Sequence, residues 1–170
     1  MNQKDEFTTF EVVKIVGIKL ERLQDWMKRG FIKPTHQVRI SRGLKSYFDR
    51  LQLYIIETFH YLVQNGINRQ EAAQWTLNIH KHVSSDIAAT SEAVSGPEET
   101  QPSFASQMPT FIMVLKGDSP FGSGLSIVII KDDRHMIELN RATKTDAIHI
   151  INFSSIINKI ESKINSLGRV

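Results

Sequence analysis

Near the start of the chain, two short segments have apolar residues at every third or fourth position, the spacing of an amphipathic helix. In the first segment, Thr8 followed by Glu11 predicts a capping box, and Gly17 predicts the helix end. Its apolar side chains are expected to face inward: Phe10, Val13 and Val16. A second helix is predicted from about residue 19 to 29, with Gly30 as its stop. Its predicted buried stripe is Leu20, Leu23, Trp26 and Met27. Two helices joined by a tight turn are typical of a helix-turn-helix.

The segment that follows predicts a wing and then two longer helices. Residues 38–40 alternate like a short strand that approaches a turn near residues 41–43, which is the pattern of a β-hairpin. From Asp49 onward the apolar residues return to helical spacing, and this helix is predicted to stop at Asn65 and Gly66. A further helix is predicted over about residues 69–83.

Residues 84–109 change in composition. They are rich in Ser, Thr, Ala, Glu and Pro and hold few large apolar side chains, so most of this segment is predicted to be a linker. The alternative is that the preceding helix continues toward Val94 and ends before Gly96 and Pro97.

The last third of the chain predicts strands and one helix. Four short apolar segments are candidate strands: residues 110–115, 125–130, 136–139 and 148–153. The glycine-rich segment 117–124 predicts a long hairpin or crossover loop, and it lacks the Lys-Ser/Thr ending of a phosphate-binding loop. Ser154 is predicted to cap a closing helix that Gly168 ends. One face of that helix is apolar: Ile156, Ile157, Ile160, Ile164 and Leu167.

Together these elements predict an α+β protein. Residues 1–83 would form a winged helix-turn-helix domain with its following helices, and residues 84–109 a linker. Residues 110–170 would form a small antiparallel or mixed sheet with a closing helix, used for dimerisation or sensing.

The distribution of charge supports a nucleic-acid partner. Residues 1–83 hold 13 Lys and Arg against 8 Asp and Glu, residues 84–109 hold none against 4, and residues 110–170 hold 8 against 6. The basic excess therefore coincides with the helix-turn-helix segment. The chain has no cysteine, which excludes disulfides and thiolate metal sites. No apolar segment is long enough to cross a bilayer and the N-terminus is polar, so a cytoplasmic protein is expected.

The first half of the chain resembles the MerR-type winged-helix transcription regulators. The resemblance is carried by the order and spacing of six segments: Thr8-Thr9-Phe10-Glu11-Val12-Val13, Gly17-Ile18, Leu23-Gln24-Asp25-Trp26, Gly30-Phe31-Ile32-Lys33-Pro34, Arg42-Gly43-Leu44-Lys45-Ser46-Tyr47 and Asn65-Gly66-Ile67-Asn68-Arg69-Gln70-Glu71-Ala72. It implies a dimer whose second helix enters the major groove while the wing lies along the neighbouring backbone. The cysteine-based sensing of many relatives is excluded in this chain.

The resemblance also implies which side chains meet DNA. On the second helix and the wing the candidate DNA-binding residues are Lys19, Arg22, Gln24, Lys28, Arg39, Arg42, Lys45 and Tyr47. Arg can bond guanine and Gln can bond adenine in bidentate fashion, whereas the wing cations would hold phosphates without reading sequence. The chain departs from the family pattern at three positions: Lys19 replaces a capping Ser or Thr, Gln24 replaces an Arg, and Asp25 replaces the first aromatic of a pair.

No other constellation points to chemistry. His80 and His82 lie two positions apart on a predicted helix and would point in different directions, so no metal site is expected. Nor does any pattern favour an enzyme, a cofactor or a membrane partner.

The predicted function is therefore a dimeric, sequence-specific DNA-binding transcription regulator, with double-stranded DNA as partner and with transcription machinery or an unknown effector as further candidates. Two alternatives stay open, and the departures at Lys19, Gln24 and Asp25 favour the first of them. One is a MerR-like protein-interaction adaptor of the chaperone-modulator type. The other is a ligand sensor that acts through the C-terminal domain.

Overall fold

The computed structural model describes five stretches of the chain: residues 6–41, 43–93, 111–119, 122–130 and 147–168. The first two stretches contain strand β1 (Glu6–Thr8), helices α1 (Thr9–Val16) and α2 (Leu20–Lys28), strands β2 (His36–Ile40) and β3 (Gly43–Asp49), and helices α3 (Arg50–Gln64) and α4 (Arg69–Ala93). The other three contain strands β4 (Phe111–Ser119), β5 (Gly122–Ile130) and β6 (Ala147–Asn152) and helix α5 (Phe153–Leu167). The predicted α+β class is confirmed.

Helix α1 has the predicted ends but a different buried face. The Glu11 carboxylate accepts hydrogen bonds from the backbone N–H and the hydroxyl of Thr8, both at 2.8 Å, and Gly17 ends the helix with a left-handed φ of 78°. The side chains that are buried are Val12, Ile15 and Val16. Phe10 is 67% exposed, so its predicted inward orientation is wrong. Phe10 precedes Val12 by two positions, about 200° around the helix, and this places it on the opposite side.

A three-stranded antiparallel sheet, in the order β1-β3-β2, joins the start of the chain to the wing. Phe7 of β1 lies opposite Phe48 of β3, and both side chains are buried. The hairpin predicted around residues 38–43 is confirmed as the β2 and β3 pair, in which Ile40 lies opposite Gly43. All five residues of β2 are exposed, so this hairpin projects from the core as a wing.

Helix α3 is the central element of the N-terminal part. The Asp49 carboxylate caps it by accepting a hydrogen bond from the Gln52 N–H at 2.8 Å, and it ends at Asn65 before Gly66, as predicted. Eleven of its residues are buried, including the polar residues Arg50, Glu57 and His60, so more than one face is covered. Helix α4 continues past Val83 to Ala93, which confirms the alternative of a longer helix over that range.

The second sheet is antiparallel, in the order β5-β4-β6. Strands β4 and β5 pair from Phe111 opposite Ile130 as far as Ser119 opposite Gly122, so the glycine-rich segment is a hairpin and most of it is strand. The fourth strand predicted at residues 136–139 lies outside the described residues. Helix α5 begins one residue before the predicted cap, Ser154. Its capping side chain is Asn152, whose Oδ1 accepts a hydrogen bond from the Ser155 N–H at 2.9 Å.

The chain divides into two compact units, Met1–Thr76 with Asn158–Val170 and Leu77–Ile157. Within the first unit, three polar contacts join α5 to α3. The Glu161 carboxylate accepts hydrogen bonds from Arg50 Nη1 at 2.7 Å and from the Tyr54 hydroxyl at 2.6 Å, and Lys159 forms an ion pair with Glu57. Burial and the bond to Glu161 raise the pKa of Tyr54 well above its usual range, so this hydroxyl remains a donor. The predicted division at residues 83 and 110 stays a prediction.

Replacing Glu161 should destabilise the fold more than replacing an exposed carboxylate. Glu161→Ala would leave Arg50, whose side chain is 10% exposed, without its counter-ion and Tyr54 without its acceptor, at a cost of about 3 kcal/mol in the free energy of unfolding. The matched control is Asp25→Ala, which breaks the exposed ion pair with Arg29 and should cost less than about 1 kcal/mol. Urea unfolding of the full chain measures both values, and equal losses would contradict the structural role of the Arg50 and Glu161 pair.

Candidate nucleic-acid interface

Helix α2 has one buried side and one side open to solvent. Leu23 and Trp26 are almost fully buried, whereas Leu20 and Met27, which were also predicted for the buried stripe, are half-buried at its margins. The four polar residues predicted to meet DNA at this helix are all exposed: Lys19, Arg22, Gln24 and Lys28. The helix is therefore attached to the protein by its apolar stripe and leaves its polar side free for another molecule.

The buried side of α2 rests on aromatic rings of α3. The Trp26 and Phe59 ring centroids are 4.8 Å apart at an interplanar angle of 74°, an edge-to-face contact. Phe31, just after α2, also stacks on Phe59, with the two ring centroids 6.0 Å apart. The predicted core role of Trp26 is confirmed, and this packing fixes the orientation of α2.

The exposed polar residues of α2 do not form one row. Gln24 and Lys28 are one turn apart and share a side of the helix. Arg22 lies about 160° around the helix axis from Gln24, on the opposite flank. The positive charge of Arg22 helps to lower the pKa of His60 on α3. Glu21 and Asp25 lie between these two flanks. The exposed surface of α2 therefore has a cation or amide at each edge and two carboxylates between them.

Asp25, one of the departures from the family pattern, is neutralised by its neighbours. Its carboxylate lies 2.7 Å from Arg29 Nε and 3.8 Å from Arg69 Nη1, so two guanidinium groups offset its charge. Lys19 precedes the helix as its N-cap residue and makes no side-chain capping bond, because an ammonium group has no acceptor. Its cation lies instead at the positive end of the helix dipole, where the combined potential favours an anion.

In the wing, cations and apolar side chains alternate across the two strands. Arg39 lies opposite Leu44, and Val38 lies opposite Lys45, and all four are exposed. Tyr47 is half-buried and stacks on His36 with ring centroids 5.0 Å apart, while Lys45 Nζ lies 5.2 Å from the centre of the Tyr47 ring. Arg42, also predicted to approach DNA, lies outside the described residues.

The exposed apolar side chains of the wing were not predicted as part of the site. Val38, Ile40 and Leu44 are 44%, 47% and 66% exposed. The signal for them was present in the sequence, because the alternation in residues 38–40 marks one face of a strand, but alternation cannot say whether that face meets a core or solvent.

Metal-binding and membrane-spanning features form the remaining classes of candidate site. Over the described residues there is no group of three His, Cys, Asp or Glu side chains placed to hold a metal ion. On helix α4, His82 is exposed and His80 is half-buried. Among the helices in the described part of the chain, none combines the length and apolarity needed to cross a membrane.

The N-terminal part of the chain is similar to a known protein family. No curated protein is significantly similar to the chain. The family model described as MerR HTH family regulatory protein matches residues 7–78. This range begins in β1, includes α1, α2, the wing and α3, and ends within α4, so it covers every element of the candidate interface. Residues 7–78, the N-terminal part of the chain, therefore match the MerR helix-turn-helix family, as the sequence predicted, and this match supports a DNA-binding transcription regulator in general.

Proposed function

We propose that this protein is a transcription regulator that binds duplex DNA sequence-specifically, with α2 in the major groove and the wing on the adjoining sugar-phosphate backbone. The observation that carries the proposal is the two-sided character of α2. Its buried Leu23 and Trp26 hold it rigidly to the core, while Arg22, Gln24 and Lys28 remain exposed. A recognition helix needs this combination, because base-edge hydrogen bonds are specific only when their donors are held in position.

The exposed side chains of α2 include donors that suit base edges, and its two ends carry cations that suit phosphates. Arg22 carries a fork of donors that matches O6 and N7 of guanine, and Gln24 can bond N6 and N7 of adenine. Lys19 and Lys28 lie at opposite ends of the helix, where they can reach phosphates. The Arg29 and Arg69 contacts to Asp25 reduce the repulsion that this carboxylate would exert on DNA.

The wing supplies affinity without sequence reading. Arg39 and Lys45 are exposed on neighbouring strands, and Arg42 lies between them in the sequence. Cations at the tip of a projecting hairpin can follow the phosphate backbone, and their contribution to binding depends on salt because they displace condensed counterions. The stack of His36 on Tyr47 stiffens the base of the hairpin.

A homodimer on a palindromic site is part of the proposal. One module of this size contacts few base pairs, and pairing two modules adds their half-site energies through a raised effective concentration. The β5-β4-β6 sheet lies outside the family match and is the proposed place for effector or partner binding. Regulators of this family are typically non-enzymatic, and the proposal assigns no reaction to the chain.

A protein-interaction adaptor is the second candidate function, and one observation favours it. Glu21 is exposed midway between the two polar edges of α2, where its negative charge would oppose the approach of negatively charged DNA. A basic peptide would suit that charge better than DNA does. A gel-shift assay at low salt separates the candidates, because an adaptor would retain no duplex DNA of any sequence.

Substitutions in α2 and in the wing should have different effects on binding. Arg22→Ala should weaken binding to the preferred site by about 1 to 3 kcal/mol and leave binding to mixed-sequence DNA nearly unchanged. Arg39→Ala or Lys45→Ala should weaken binding to both kinds of DNA, and each should lower the slope of log affinity against log salt by about one unit. Selection of bound fragments from a random library supplies the preferred site, and fluorescence anisotropy then measures each affinity.

The control for this series is Lys163→Ala, which removes an exposed cation from α5 and should change neither affinity nor salt slope. The assignment of roles would be wrong if Arg22→Ala weakened binding to preferred and mixed-sequence DNA equally, or if the wing variants left the salt slope unchanged.

The proposed dimer should be visible in the length of DNA that is needed for tight binding. On the selected palindrome the affinity should exceed that for a single half-site by at least about 100-fold, because the second module binds with an effective concentration instead of from solution. Sedimentation of the complex should show two chains per palindrome. A single chain per duplex, with equal affinity for half-site and palindrome, would exclude the dimer and leave the DNA-reading role of α2 in place.

A further inference from the structure

His60 is a buried imidazole with no hydrogen-bond partner for either ring nitrogen. It lies on α3 with 7% of its surface exposed, and both Nδ1 and Nε2 are unpaired. Its ring centroid is 6.0 Å from that of Trp26, the residue that anchors α2. Buried polar side chains are nearly always hydrogen-bonded, so two unpaired nitrogens beside the recognition helix call for a physical explanation.

Charged groups on three helices act electrostatically on this ring. They are Arg22 of α2, Glu57, which lies one turn earlier on α3, and Lys159 of α5. Burial lowers the pKa of His60 below its ordinary value of 6.5, Glu57 opposes that shift, and Arg22 and Lys159 reinforce it. At neutral pH the ring is therefore neutral, and it packs against Trp26 as an apolar group does.

We propose that His60 is an acid-sensitive switch for the DNA-reading surface. When its ring takes up a proton, Trp26 and with it α2 move away from their positions on α3, and DNA is released. The inference rests on the proposed function for its final step, the release of DNA. The first step, the movement of Trp26, is a property of this chain alone and can be measured without DNA.

The arrangement of Glu57 explains how one proton could change the packing. Its Oε1 is bonded to Lys159, and its Oε2 is buried without a partner. A proton taken from solvent by His60 creates an imidazolium with two N–H donors, and neighbours one helical turn apart are close enough to interact. Glu57 is the one carboxylate among the three charged groups around the ring. If the imidazolium turned toward Glu57, the ring would move away from Trp26. Its N–H donors would then compete with Lys159 for the Glu57 carboxylate.

The direction of the pH effect follows from the lowered pKa. The unfolded chain takes up a proton near pH 6.5, whereas the folded chain resists until its lower pKa is reached. Between these two values the folding equilibrium constant should fall by up to about tenfold per pH unit as the pH falls. Stability from the neutral ring is thus fully present above pH 6.5 and is lost in acid.

The predicted effect on DNA affinity has the opposite sign to the general electrostatic trend. Acid adds positive charge to solvent-exposed imidazole side chains in general, and added positive charge strengthens binding to a polyanion. A switch at His60 instead weakens binding in acid, which makes the two effects separable. The expected loss for the wild-type protein is at least about fivefold between about pH 7.5 and pH 5.5.

The experiment compares the full-length wild-type protein with His60→Phe, which keeps an aromatic ring and cannot take up a proton. His60→Gln is the second variant, in case the phenyl ring does not fit, and His82→Gln is the control for an exposed histidine. Two readouts are followed from about pH 7.5 to pH 5.5. One is the fluorescence of Trp26, in chains where Trp75→Phe removes the other tryptophan. The other is affinity for a mixed-sequence DNA duplex at low salt, measured by anisotropy.

In the wild-type and His82→Gln chains, acid should change Trp26 fluorescence and weaken DNA binding. In the His60 variants the fluorescence should stay constant and the affinity should rise with acid. Wild-type fluorescence that does not change, or an acid response that persists in both His60 variants, would overturn the switch. If no chain binds DNA at either pH, the proposed function fails, and the fluorescence comparison still decides whether protonation of His60 moves Trp26.

Discussion

The contact between the Trp26 and Phe59 rings is the interaction on which the candidate interface depends. Helix α2 has only nine residues, and a helix of that length is not stable by itself in water. Its structure and its orientation therefore come from the side that it buries, and Trp26 is the largest group on that side. Because Phe59 belongs to α3, this central helix sets the orientation of α2 and therefore the positions of Arg22 and Gln24.

Helix α3 in turn depends on polar as well as apolar contacts. Arg50, Tyr54 and Glu57 recur at the spacing of one helix face and meet Glu161 and Lys159 of α5. Buried ion pairs seldom stabilise more than apolar residues of equal size would, but they allow one arrangement and penalise others. The same face holds His60. Helix α2 and the C-terminal part of α5 thus both contact α3, so a change in α3 can affect either of them.

The sequence was sufficient for features that depend on local chemistry. The capping pair of Thr8 and Glu11, the turn at Gly17 and the hairpin around Ile40 and Gly43 each follow from the residues themselves. The orientation of Phe10 was predicted wrongly, because the phase of a short helix is set by what packs on it and not by its own pattern.

Contacts between distant segments could not be predicted in this way. Arg50 and Glu161 are 111 positions apart, and neither belongs to a motif. In the pattern of α3, Glu57 and His60 resemble surface residues, and only the packing of other helices over that face shows that they are buried. The exposed residues of α2 and the wing were predicted through the family resemblance, and the structure adds the apolar wing residues and the distribution of charge around α2.

The most direct test of the central claim is a footprint of guanine N7, which lies in the major groove, on the selected DNA site. Dimethyl sulfate methylates this atom unless a protein covers it. If α2 occupies the major groove, the wild-type protein should protect at least one guanine in each half-site, and Arg22→Ala at saturating concentration should lose that protection while remaining bound. Full binding with every guanine N7 still reactive would contradict the account.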